Sequence, residues 1–370
     1  MPMERTPLTA EQLPDSIAPY FVEGAASGKV LLLARGLAPG LGPLELATGL
    51  FQASCHENDK IAAAAVASAR DLPDSILSGA LAAALAPQVL DFYAELCRQK
   101  PQQIQTILLN RATADETFEH LARTLKQDAL VEIIAKNEER LLRHPDIIKE
   151  LYLNPATRMS TANRCVELAV RNEIVIDIPA YREIAAGIGH ERTYDDPMDQ
   201  ALADDATDAS FQHAVDQTAG VEEIPGDREL ETNDQDLKKI TSLLGLSISQ
   251  RIRLATIGSG YQRALLLRDP NRIVAIAAIK SPLVKETEVI RVAQSKSAND
   301  DVIRHIALNR DWLKMHAVKV ALVSNPKCPL PTAMRLLPHL RLLELKNLAR
   351  SRNISNTLRS AAKNMLSKKG

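Results

Sequence analysis

Apolar residues recur along this chain at the three- and four-residue spacing of amphipathic helices. One run contains Ile104, Ile107 and Leu108, and another contains Ile148 and Leu151. Because this spacing places the apolar side chains on one face of a helix, each run predicts a helix that buries that face against a neighbour. The fold class predicted for the chain is therefore all-α, with helix packed on helix.

The segments that follow these helical runs resemble one another. Leu109–Thr113 is matched 44 residues later by Leu153–Thr157, and Ser281–Leu283 is matched at the same offset by Asn325–Lys327. Repeats of about 40 to 47 residues with two helices each are typical of HEAT and armadillo stacks, in which one unit cannot bury its apolar face alone. The 44-residue offset predicts two α-solenoid-like helical repeat blocks.

A third match has a wider spacing. Val292–Ser297 aligns with Leu348–Asn353. The matches at both spacings fall where a helix would end and the next would start.

Asn followed by Pro marks two of these ends. Asn tolerates non-helical backbone, and Pro cannot continue the helical hydrogen bonds. We therefore expect Asn154–Pro155 and Asn325–Pro326 to lie at helix ends, with Leu153 and Val323 facing the core.

The segments 141–169 and 305–355 resemble bacterial HEAT-like and leucine-rich-variant helical-repeat proteins, in which short helices alternate with turns of the Asn-Pro or Asp-Pro type. The likeness covers most of residues 30–188 and 236–368. It implies helical stacking and the binding of macromolecules, and it implies no catalytic residues.

Charge is distributed unevenly over the 370 residues, although the net charge is only −1. Residues 236–370 contain 25 Lys and Arg against 8 Asp and Glu, which gives +17. Residues 191–235 contain 14 acidic and 2 basic residues, which gives −12, and residues 1–190 carry the remaining −6. A strongly basic block thus follows a strongly acidic segment.

These features predict four parts: an N-terminal leader (1–28), an N-terminal helical repeat domain (29–188), an acidic flexible linker (189–235) and a basic C-terminal helical repeat domain (236–370). The linker prediction rests on few large apolar residues and a high net charge, which together do not offset the entropy lost on ordering. Its centre, residues 198–215, has sparse apolar positions that are compatible with a transient helix.

Neither a membrane span nor a secretory signal is indicated. The most apolar stretch, Val30 to Phe51, contains Arg35 and Glu45, and the first sixteen residues have no short apolar core. The four cysteines lie tens of residues apart without a Cys-x-x-Cys pair, which is typical of free thiols in a reducing compartment. We therefore expect a cytoplasmic protein.

No motif for enzymatic chemistry stands out. The segment from Gly24 to Val30 has three residues between its glycines where a phosphate loop needs four, and it lacks the Ser or Thr after the lysine. The eight histidines form no zinc-binding pair. The loop from Cys55 to Asp59 is interpreted as a helix cap, with Asn58 or Asp59 capping a helix that begins near Lys60. We predict no catalytic, cofactor-binding or metal-ligating residues, and no enzyme.

The basic block is the one feature that indicates a function. A block with a charge of +17 attracts acidic protein surfaces and polyanions, so the first hypothesis is a non-enzymatic protein-binding scaffold or adaptor whose basic repeats dock an acidic macromolecular surface. The alternative is a nucleic-acid-binding protein that contacts duplex phosphates, since Tyr261 and Trp312 are too few aromatic residues for stacking on single strands. The candidate partner-binding residues are Arg251, Arg253, Arg268, Arg272, Arg304, Arg310, Lys314, Lys319, Arg335, Arg341, Arg350 and Arg352.

Overall fold

The fold is described from a computed structural model of the chain, which describes residues 5–22, 27–179, 181–188, 197–217, 243 and 245–369. Within these residues the secondary structure consists of α-helices and short 3-10 turns, without a strand. The predicted all-α fold class is confirmed.

The first of two compact units comprises Met1–Thr157. Its helices are α1 (Ser27–Ala34), α2 (Pro43–Ser54), α3 (Asp59–Arg70), α4 (Asp74–Ala82), α5 (Pro87–Leu96), α6 (Pro101–Leu109), α7 (Asp115–Thr124), α8 (Asp128–Ala135), α9 (Glu138–Arg143) and α10 (Asp146–Leu153). The described part of the predicted leader folds onto this unit, because Leu8 and Ile17 are buried.

The second unit comprises Arg158–Gly370. Its helices are α11 (Met159–Arg171), α12 (Tyr181–Ile188), α13 (Pro197–Gln217), α14 (Ile248–Ile257), α15 (Gly260–Leu266), α16 (Arg272–Ile279), α17 (Glu286–Gln294), α18 (Asp300–Leu308), α19 (His316–Ser324), α20 (Leu330–Leu336), α21 (Leu342–Arg350) and α22 (Asn356–Lys369). Contacts thus divide the chain before α11, whereas the predicted domains divide it at residues 189–235.

Helix α13 occupies the centre of the predicted acidic linker. It packs against α11, and its Phe211 and Ala214 are buried. Asp208 accepts hydrogen bonds from the Ser160 backbone N–H and hydroxyl, both at 2.8 Å. The sparse apolar positions seen in the sequence are sufficient for one buried helix face. Residues 189–196 and 218–235 of the predicted linker lie outside the described residues.

Helices stack in pairs, and the repeating unit is shorter than the sequence matches indicated. Helix α4 contacts α6, and α6 contacts α8. These helices begin at Asp74, Pro101 and Asp128, so successive two-helix units begin at these three positions in this part of the chain. The predicted 44-residue period is therefore wrong: the matched segments are equivalent helix ends rather than equivalent units.

The wider match, of Val292–Ser297 with Leu348–Asn353, reflects two such units. Helices α17, α19 and α21 begin at Glu286, His316 and Leu342, and α17 packs against α19. His316 Nε2 and Glu344 Oε1 lie 2.8 Å apart, which connects α19 to α21. The two matched segments therefore end α17 and α21.

Buried or half-buried asparagines connect the ends of helices in successive units. Asn325 follows α19, and its amide donates hydrogen bonds of 2.8 Å to the carbonyls of Ala293 and Ser295 at the end of α17. Its Oδ1 accepts the backbone N–H of Lys327 at 2.9 Å and so forms the turn. Equivalent hydrogen bonds are made by Asn110 after α6 and Asn154 after α10.

These positions confirm that Asn154–Pro155 and Asn325–Pro326 lie at helix ends. Val323 is fully buried, as expected. Leu153 is only half-buried, because Tyr152 and Asn154 on either side of it occupy the core instead.

Candidate docking surface

The predicted partner-binding residues fall into three groups in the structure. Some are buried or nearly so, some are exposed but paired with a carboxylate, and some are exposed without an ion pair to any described residue. The three groups differ in what they can offer to a partner.

Arg253 is not available to a partner, which corrects the sequence prediction. It is completely buried, with its guanidinium 5.4 Å from the Phe211 ring centroid and Nη1 at 3.7 Å from the Met159 sulfur. Both neighbours come from helices much earlier in the chain, α13 and α11, so the local sequence of α14 gives no sign that this arginine faces inward.

Arg251 is also used within the fold. Its Nη1 donates a 2.7 Å hydrogen bond to Asp269 Oδ2, and the Arg251 and Asp269 side chains are only 12% and 1% exposed. Arg268 is half-buried next to this pair in sequence. Because an unpaired buried charge is costly, the pair with Asp269 stabilises the repeat, and Arg251 is not available to a partner.

Three further candidates are exposed but paired. Arg272 and Arg304 lie 3.4 and 3.6 Å from the carboxylate of Asp301, and Lys314 Nζ lies 2.7 Å from Asp311 Oδ1. Exposed pairs of this kind are weak and can be exchanged for a partner's carboxylate. Lys319 is half-buried on α19.

The remaining five candidates are exposed arginines that form no ion pair with a described residue. Four of them fall within residues 335–352, on α20 and α21 and in the turns that adjoin α21. These arginines are Arg310, Arg335, Arg341, Arg350 and Arg352.

Exposed apolar side chains, which the charge pattern did not predict, lie beside these arginines. Leu343 is 69% exposed and Leu342 52%, directly after Arg341, and Leu330 and Met334 are exposed on the same short helix as Arg335. The sequence signal was present but ambiguous, because a leucine in a helix normally indicates core. Residues 330–352 thus expose both guanidinium groups and apolar side chains.

A second charged cluster lies in the first unit. Glu119, His144 and Asp146 place one ligand atom each within 4.8 Å of one another. Glu119 already pairs with His144 Nε2 at 2.9 Å and with Arg123 at 2.9 Å. The cluster thus combines an ion pair within α7 with a hydrogen bond between Glu119 and His144. The sequence search for paired histidines could not find it, because it joins Glu119 of α7 to residues at the start of α10.

The cysteines of the described chain are free. Burial raises the pKa of Cys97 and of Cys328 to about 11 and also raises the pKa of Cys55. Because the thiolate is the reactive form, these three thiols are poor nucleophiles at neutral pH.

Comparisons of the chain with protein-family models, curated proteins and solved structures find no match. In addition, no helix among the described residues is long and apolar enough to cross a membrane.

Proposed function

We propose that this chain is a non-enzymatic scaffold or adaptor built on HEAT-like repeats, and that its basic C-terminal repeats dock an acidic protein surface. The proposal is supported by one observation above all: residues 330–352 expose both large apolar side chains and arginines that form no ion pair with a described residue. Arginine and large apolar side chains are the residues that anchor protein interfaces. Location in the cytoplasm stays a prediction.

The apolar side chains favour a protein over the alternative partner, a nucleic acid duplex. Phosphate contacts come from basic and polar groups and from backbone N–H groups, so Leu342, Leu343 and Met334 would gain little from a duplex backbone. An acidic protein surface with an apolar centre would bury them. The two partners also differ in salt dependence, since phosphate binding falls steeply as salt rises.

The test uses the full-length protein as bait in a lysate, with and without nuclease, at moderate and at raised salt. Two double variants remove the two parts of the surface: Arg335→Glu with Arg341→Glu, and Leu342→Ser with Leu343→Ser. The matched control changes an exposed arginine and an exposed leucine of the first unit, Arg35→Glu with Leu37→Ser.

We expect a protein partner that survives nuclease and moderate salt, is lost with either double variant and is retained by the control. Loss of the captured material on nuclease treatment would support the duplex alternative. Retention by both double variants would place the docking site elsewhere.

A further inference from the structure

An open cavity of about 310 Å³ lies in the first unit, and all its lining residues belong to that unit. One face of α5, which carries Gln88, Asp91, Phe92 and Glu95, forms much of its wall. The other walls come from Phe51 of α2, the first turn of α7 and the segment at Arg5 and Thr6. The full lining is Arg5, Thr6, Phe51, Pro87, Gln88, Asp91, Phe92, Glu95, Ala114, Glu116 and Thr117.

The polar lining is rich in hydrogen-bond acceptors and negative charge. Asp91, Glu95 and Glu116 contribute three carboxylates, and Arg5 is the one basic residue among the described residues that line the cavity. The Gln88 Oε1 atom is buried without a hydrogen-bond donor in the described structure. Such a lining favours a ligand that brings several N–H donors and a positive charge.

Asp91 lies among these carboxylates, of which Glu95 also has Arg98 at 3.9 Å. The Asp91 carboxylate accepts one hydrogen bond, from the Thr117 hydroxyl at 3.2 Å. Burial raises the pKa of Asp91, and the nearby carboxylates of Glu95 and Glu116 raise it further. Asp91 is half-buried and forms no ion pair with a described residue, and such a carboxylate is stabilised when a cation enters beside it.

The aromatic wall indicates which cation fits. The Phe51 and Phe92 rings form an edge pair with centroids 5.6 Å apart, and the guanidinium carbon of Arg5 lies 5.0 Å from the Phe92 centroid. A planar guanidinium stacks on an aromatic face and donates to carboxylates in a fork, whereas an ammonium does neither as well. The guanidinium of Arg5 therefore already lies against this aromatic wall.

The segment that carries Arg5 is held in place like a bound peptide. The Leu8 backbone N–H donates to Gln52 Oε1 at 2.8 Å, and Gln52 Nε2 donates to the Leu8 carbonyl at 3.2 Å. The Leu8 side chain is buried. The backbone thus runs along the rim while the arginine side chain reaches the aromatic wall.

We propose that this cavity binds the arginine side chain of a partner peptide, and that Arg5 occupies part of the site as a competitor from the same chain. The open mouth and the chain segment at Arg5 and Thr6, which lines the cavity, favour an arginine within a peptide over the free amino acid. The site is independent of the proposed docking surface, because none of its residues belongs to the basic repeats.

The experiment measures binding of a fluorescein-labelled peptide, Ala-Ala-Arg-Ala-Ala, to the full-length protein by fluorescence polarisation. Lysine and citrulline replace the arginine in two control peptides, and free arginine is added as a competitor. The protein variants are Arg5→Gln, Asp91→Asn and Glu116→Gln. Asp71→Asn is the control, because Asp71 is an exposed carboxylate of the same unit that does not line the cavity.

We expect Arg5→Gln to tighten binding of the arginine peptide, since it removes a competitor at high effective concentration. Asp91→Asn should weaken binding by about 10-fold or more, which is typical of a lost charge-assisted hydrogen bond. The exposed Glu116→Gln should weaken it less without affecting folding, and Asp71→Asn should have no effect. The citrulline peptide should bind at least about 10-fold more weakly for the same reason.

Three results would overturn the proposal. Equal binding of the arginine and citrulline peptides would show that positive charge is not recognised. No change with both Asp91→Asn and Glu116→Gln would place the peptide elsewhere. Free arginine that competes at the same concentration as the peptide would make this a site for the small molecule and not for a peptide.

Discussion

The buried asparagine after α19 allows the stacking of successive units to be tested with a nearly isosteric substitution. The Asn325 amide donates two hydrogen bonds of 2.8 Å to the carbonyls of Ala293 and Ser295, and its Oδ1 accepts the Lys327 N–H. Asn325→Asp keeps the size and the acceptor but removes both donors. The change therefore breaks the connection between the two helix ends and places a carboxylate beside the two carbonyls.

The expected loss follows from the two carbonyls left without a partner. Asn325 is only 5% exposed, so water does not readily replace the amide. Each buried polar group that loses its partner costs about 1 to 3 kcal/mol. We therefore expect Asn325→Asp to lower the free energy of unfolding by about 2 to 6 kcal/mol at pH 7.

Asn309, which follows α18, provides the matched control. Its Oδ1 accepts the backbone N–H groups of Asp311 and Trp312 at 3.0 and 3.3 Å, but its amide donates no hydrogen bond in the described structure. Asp supplies the same acceptor, so Asn309→Asp should change the free energy of unfolding by less than about 0.5 kcal/mol, as is usual for substitutions away from buried networks.

Urea unfolding of the full-length proteins, followed by circular dichroism, measures both variants. A lower midpoint at an unchanged slope reports lost stability. The carboxyl introduced at position 325 is poorly solvated, so its folded pKa is raised. The loss should therefore shrink as the pH falls through that raised pKa, because the protonated group regains one donor. Equal midpoints for the two variants would refute the stabilising role of the buried amide.

Three further predictions concern a buried ion pair, the carboxylate of Asp91 and the acidic segment of the chain. Arg263 and Glu288 form a buried ion pair at 2.9 Å. Arg263→Met should lower the free energy of unfolding by about 3 to 5 kcal/mol, because it leaves Glu288 buried without its partner, and adding Glu288→Leu should restore much of that loss. Urea unfolding of the single and double variants measures both effects. Because the folded pKa of Asp91 is raised, its ionisation opposes folding above that pKa. Asp91→Asn should therefore stabilise the protein at pH 7, and this gain should shrink as the pH falls through the folded pKa of Asp91. Thermal unfolding at several pH values measures the gain. We expect the acidic segment 191–235 to compete with the partner for the basic repeats. Neutralising the five carboxylates within 222–231 should therefore tighten partner binding at about 0.1 M salt, but not at about 1 M, because the Debye length falls from about 10 Å to about 3 Å. An unchanged partner affinity at the lower salt would mean that this segment acts only as a spacer.

Helix boundaries could be predicted from the sequence because local chemistry decides them. Asn58 caps α3 by accepting the Lys60 N–H at 3.0 Å, and the carboxylates of Asp300 and Asp301 lie in the first turn of α18. Both features depend on residues within one turn of the helix end. The same holds for the turns at Asn154 and Asn325.

The length of the repeat could not be derived from the same signals. Every helix in a stack needs an end, and the ends share the same few residue types whichever helix of the unit they close. Matching two ends therefore gives a spacing between helices and not a period. The match of α17 with α21 was informative because the residues within those helices also correspond.

The candidate surface was predicted only in part because burial of a charge depends on distant residues. Arg253 and Arg350 look alike in the sequence, yet Arg253 is enclosed by Met159 and Phe211 while Arg350 is exposed. The acidic cavity could not be predicted from the sequence either. Its α5 residues have helical spacing, but Arg5 and Thr117 approach from parts of the chain that no local pattern connects to them.

Ion pairs between successive units explain why the net charge of a segment predicts its partner-binding residues better than its number of basic residues does. The pairs of Asp115 with Arg140, Arg123 with Glu150, and Arg263 with Glu288 all have nearly the same separation along the chain, which is close to the step from Asp74 to Pro101 between two units. Each of these pairs uses one basic and one acidic residue to join neighbouring units, and so leaves the net charge unchanged. The exposed basic residues beyond this internal pairing are available to a partner, and basic residues accumulate in 236–370, where few acidic residues remain. A search for opposite charges at a constant offset would have indicated the repeat length, but not the burial of Arg253 against Met159 and Phe211.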